Sequence, residues 1–100
     1  MAMWQVFDEA IEMRRRRFQY FPSQFVWRGQ RYVVQKVDRC WSVSRRGWRG
    51  RIERHCFEVA CEEGIFELHQ ELRANSWRVH RARLAAGTAS AVWQTVMESV

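Results

Sequence analysis

Long hydrophobic runs are missing from this 100-residue chain. None approaches the roughly 18 apolar residues of a membrane span. Residues 1–17 place acidic side chains before a basic cluster, the reverse of a secretory leader. The expectation is a cytoplasmic protein with no membrane partner. Cysteine is sparse too: Cys40, Cys56 and Cys61 cannot all pair, and none falls in a C-x-x-C spacing. That argues against a disulfide framework or a zinc knuckle, so neither metal nor cofactor is expected, and Cys56 and Cys61 read as small buried hydrophobes. Lysine is nearly absent, since all but Lys36 of the 17 basic residues are arginine. Arginine suits phosphate forks and aromatic stacking better than lysine does.

No catalytic signature is present either. His69 and His80 fall on neighbouring predicted strands but bring no obvious carboxylate or nucleophile with them. Asp38 and Cys40 are the one other polar pair worth naming, and Asp38 reads as a neutraliser of a nearby arginine. The chain is expected not to be an enzyme.

What is present is aromatic and basic. Apolar residues make up 47% of the chain and aromatic residues 14%, six of them tryptophan, which predicts one globular domain with an aromatic core. The net charge of +6 is unevenly spread, with most of the positive charge between residues 14 and 54. Residues 25–43 read as a β-hairpin with a two-residue loop at Gly29-Gln30, followed by one long strand. Tyr32 and Val34 alternate on one face of that strand, whereas Val37, Trp41 and Val43 alternate on the other. A bulge or bend near residues 36–39 is therefore expected.

Three more strands follow. Phe57, Val59 and Cys61 share one face of the first, Phe66 and Leu68 point inward from the second, and Trp77 and Val79 from the third. Residues 62–64 and 74–76 supply the turns.

Met3, Trp4, Phe7, Ala10, Ile11 and Arg14 recur at steps of three and four, which predicts an amphipathic N-terminal helix that with its terminal basic run 14–17 covers residues 2–17. Thr88 is a natural N-cap for a C-terminal helix over 88–99. Its stripe of Val92, Trp93, Val96 and Met97 either plugs the barrel or docks a partner or a second copy of the chain. The predicted fold is mainly β (α+β): a five-stranded antiparallel SH3-like or Sm-like barrel over 22–83, with an OB-like barrel second, flanked by both helices.

Function has to be read from the surface. Arg45, Arg46, Arg49 and Arg51 surround Trp48 in a loop marked by Gly47 and Gly50. Cations attract phosphates regardless of sequence, and an exposed aromatic face stacks on an unpaired base. Arg14, Arg15, Arg16 and Arg17, with Arg28 and Arg31, would extend this basic track if the fold unites them. The leading expectation is a nucleic-acid-binding domain that favours single strands. The alternative is a protein-interaction module docking or dimerising through its terminal helices.

Pro22-x-x-Phe25-x-Trp27-Arg28-Gly29-x-Arg31-Tyr32, then a tryptophan-rich centre, Phe66-Glu67-Leu68 and Trp77, carry a family resemblance. Over residues 22–83 the chain resembles a small uncharacterised bacterial β domain. That domain is found alone and at the C-terminal end of Y-family polymerase-like proteins of the mutagenic lesion-bypass system. The resemblance implies an accessory role near DNA repair or replication and brings no catalytic residues.

Overall fold

The computed structural model describes residues 3–44 and 52–85. They form six strands: β1 (Gln5–Arg17), β2 (Phe21–Trp27), β3 (Gln30–Ser44), β4 (Ile52–Cys61), β5 (Gly64–Glu71) and β6 (Ser76–Leu84). Each strand pairs antiparallel with the next, and β1 also pairs with β6, so the sheet closes on itself in chain order. This is an up-and-down barrel.

The core is built as the alternation of β4, β5 and β6 predicts. Phe57, Val59, Phe66, Leu68 and Val79 are fully buried, and Cys61 and Trp77 nearly so. The Phe66 ring lies 5.7 Å from Phe25, 6.1 Å from Trp27 and 5.0 Å from Tyr32 between ring centroids. Edge-to-face and tilted pairs of this kind each add about 0.5–1.5 kcal/mol beyond simple burial.

The expected bend in the long strand is present as two register shifts against β4, one between Val34 and Lys36 and one between Val37 and Arg39. The first keeps Val37 opposite the buried Val59, on the core side with Tyr32 and Val34. The second turns Trp41 outward, opposite Cys56. Before these shifts β3 is zipped to β2, but that ladder ends at Gln24 and Val33. Beyond it β3 leaves β2 and runs on with β4, so the wall between β2 and β3 is split.

Three expectations are corrected. The barrel has six strands, not the five of an SH3-like or Sm-like fold, and no helix occurs among the described residues. The predicted N-terminal helix is β1. Phe7, Glu9, Ile11 and Met13 are its half-buried face, at a spacing of two, and Ile11 sits opposite Trp77. The apolar residues fit either period, and the need for a strand between β2 and β6 decides between them. A bulge with Asp8 at φ 50° resets the register between Val6 and Glu9. The first hairpin is also shifted by one residue: Trp27 pairs with Gln30, and Arg28 and Gly29, both at positive φ, form the loop. The expected helix over 88–99, with Val92, Trp93, Val96 and Met97, lies outside the described residues, as do Arg45, Arg46, Trp48, Arg49 and Arg51.

Candidate nucleic-acid interface

The four arginines that end β1 are all exposed, and the strand distributes them instead of presenting one patch. Arg14 and Arg15 meet Arg31 and Gln24 around a shallow pocket of about 210 Å³. Arg15 sits opposite Gln24 in the β1–β2 ladder, and Arg31 reaches the place from the start of β3. Arg16 turns to a different hollow, beside Met13, Asn75 and Trp77. Arg17 lines a larger cleft with Lys36 and Arg39.

Several carboxylates of the barrel are engaged with cations elsewhere. Glu71 takes Arg54 at 2.8 Å, Glu67 takes Arg81 at 2.8 Å, and Asp38 takes Lys36 at 3.3 Å. Around the first pocket the nearest opposing charge is Glu12, a loose 3.6 Å from Arg14. Arg15, Arg16, Arg17 and Arg31 have no ion pair among the described residues.

Arg28, expected in the same track, has a different role. Its Nε donates to Glu9 at 2.8 Å, and the same carboxylate oxygen accepts from the Trp27 indole at 2.8 Å. The guanidinium also lies 5.2 Å from the Phe7 ring centre and 5.0 Å from that of Trp27. These contacts hold the hairpin tip onto β1. The hydrogen bonds from Arg28 and Trp27 bring the Glu9 carboxyl down to about 2.

The larger cleft, about 460 Å³, fills the split between β2 and β3. Phe21, Pro22, Val34 and Val37 give it apolar walls, and Phe18 stands at its rim. Phe18 and Gln19 are the central residues of the β1–β2 turn, at φ 56° and 54°, closed by the Tyr20 amide donating to the Arg17 carbonyl at 3.0 Å. For side chains larger than glycine or asparagine this conformation costs about 1–2 kcal/mol per residue. The Phe18 ring is 83% exposed. Nothing in the sequence reading singled out Phe18. The available signal was a bulky aromatic directly after four arginines.

On the other side of the barrel, His80 Nδ1 meets Asp8 at 2.7 Å, and its ring stacks on His69 at 4.7 Å. His69 Nε2 in turn meets Glu67 at 2.7 Å. The fold therefore supplies the carboxylates that the sequence did not reveal beside this pair. Burial holds the His69 pKa low despite its bond to Glu67. For Glu67, burial acts upward but is outweighed by the bonds from His69 and Arg81, leaving its pKa lowered. The bond from His80 lowers Asp8.

Cys56 lies across the ladder from His69, but burial pushes its thiol up to about 11, the opposite of an activated nucleophile. Cys61 is pushed up to about 12 by burial. Both are buried, as expected, whereas Cys40 is exposed.

Barrel order and surface charge together define, among the described residues, a small β-barrel with Arg14, Arg15 and Arg31 converging where β1 ends and β3 begins. The chain belongs to the DUF6504 family, described as a domain of unknown function, whose model matches residues 2–96. The match takes in β1 as well as the 22–83 span of the expected resemblance. No curated protein and no solved structure gives a significant match.

Proposed function

We propose that the domain is a non-enzymatic nucleic-acid-binding accessory module that grips phosphates through the end of β1 and the start of β3. The observation that supports this reading is the convergence of Arg14, Arg15 and Arg31 around Gln24 with only Glu12 opposing them. Arginine forks match phosphate oxygens bidentately, and the glutamine amide adds a neutral donor. Nothing in this arrangement reads base edges, so sequence preference is weak and salt dependence strong. The family resemblance to domains attached to lesion-bypass polymerase-like proteins suggests the setting, DNA repair or replication.

The test is fluorescence anisotropy of labelled oligonucleotides across a salt series. Replacing Arg14, Arg15 and Arg31 together by glutamine lowers the slope of log K against log salt by about 2–3, since each phosphate contact contributes roughly 0.7–0.9. Arg28→Gln is the control: its guanidinium is held by Glu9, so the slope stays at the wild-type value. A slope unaffected by the triple substitution rejects the proposal.

A further inference from the structure

The β1–β2 turn holds Phe18 in a conformation that folding alone does not favour. A two-residue turn with both φ angles positive is the place for Asn-Gly, yet the chain puts Phe and Gln there. The ring gains little from packing in return, because it is 83% exposed. Strain that folding does not explain is a pointer to function.

The surroundings narrow the ligand. Beside the ring lies a cleft of about 460 Å³, within the range of small-ligand pockets. Its walls are apolar, and its rim carries Arg17, Lys36 and Arg39 against the single carboxylate Asp38, itself engaged by Lys36. Arg39 also lies over the Trp41 ring, 4.5 Å from its centre, a contact that holds its guanidinium in place beside the cleft. A flat aromatic group joined to negative charge matches this combination. We propose that the cleft receives one unpaired nucleobase of a single-stranded nucleic acid, its face against Phe18 and its flanking phosphates on Arg17 and Arg39.

This assignment rests on the phosphate-binding reading above and adds a preference for single strands to it. In a duplex the base faces are stacked on one another, so a ring standing clear of the barrel has no face to meet. An extended peptide adding to the open side of β3 is the competing occupant. The two register shifts between Val34 and Arg39 interrupt the even spacing of amides and carbonyls that strand addition uses.

Phe18→Gly gives a clean test because it removes the ring while relaxing the turn. Its melting temperature should be no lower than wild type, so weaker binding is not a folding defect. Affinity for labelled oligo-dT should fall on the order of 10- to 100-fold, while affinity for a duplex of equal length is unchanged. Phe18→Trp, which keeps a stacking face, should retain single-strand affinity.

Unchanged single-strand affinity in Phe18→Gly, or equal losses on single strand and duplex, overturns the base pocket. Failure of the underlying reading looks different: no oligonucleotide binds the wild type even at low salt, or the triple arginine variant binds with an unaltered salt slope. Slowed amide exchange at residues 35–40 on adding a glutamate-rich extended peptide, without such protection by oligo-dT, gives the cleft to a protein strand and also overturns the proposal.

Discussion

Arg28 and Arg31 stand three residues apart on one hairpin and do different work. In the sequence both belong to the same basic track. In the barrel Glu9, brought alongside by closure of β1, captures Arg28, while Arg31 points to Arg14 and Arg15. Which arginine is left unpaired depends on a contact between residues far apart in sequence, so the charge run was legible and its division was not. The Glu9 carboxyl, about 2 in the fold against an ordinary 4.5, contributes stability that is complete above the unfolded value and lost as pH falls through the folded one. The lowered pKa of His69 acts in the same direction, beginning below its ordinary 6.5. Urea midpoints should therefore decline steadily from neutral pH downward, and Glu9→Gln should flatten the part of the curve between about pH 4.5 and 2.

Gly64 is likewise constrained by a residue distant in the chain. It sits at φ 150°, where an added Cβ would lie 2.5 Å from the Arg83 carbonyl oxygen. Gly64→Ala is expected to lower stability by more than ~1 kcal/mol, read as a drop in urea midpoint at constant slope.

At the level of elements, β1 shows where pattern reading fails and why. A strict strand alternation would put an apolar residue at position 9. The glutamate found there breaks it, and the remaining residues fall onto a helical stripe. In the fold Glu9 faces the half-buried side after all, with Trp27 and Arg28 satisfying it. On β4, β5 and β6 the expected inner residues Phe57, Val59, Cys61, Phe66, Leu68, Trp77 and Val79 are all buried, and only past the register shift between β5 and β6 does an unexpected residue, Ala82, take the core position. Because β1 lies between β2 and β6, deleting residues 1–17 should abolish the cooperative thermal transition and collapse amide dispersion in NMR spectra. A helix laid on the outside of a finished barrel would instead leave a folded remainder.

For the whole molecule, the split wall governs both stability and the candidate site. The β2–β3 ladder stops at Gln24 and Val33, next to the cleft, while β4, β5 and β6 bury Phe57, Val59, Phe66, Leu68 and Val79 completely. Native-state hydrogen exchange should accordingly be slowest in β4 and β5 and faster along β2 and the β2-facing edge of β3. The bend in β3 was legible from its change of alternating face. The cleft it opens was not, because that also requires β2 to stop short, which no residue of β3 announces.

Barrel closure joins Gln5 to Ala82 and Ile11 to Trp77, whereas every other ladder joins strands that are neighbours in the chain. During synthesis β1 leaves the ribosome first and waits for its second neighbour until β6 has been translated. Until then the nascent chain carries an open edge ending in four arginines, beside a ribosome that is itself largely RNA. Covering that edge requires the pairing most distant in the chain, the kind of contact that topology makes slow to form.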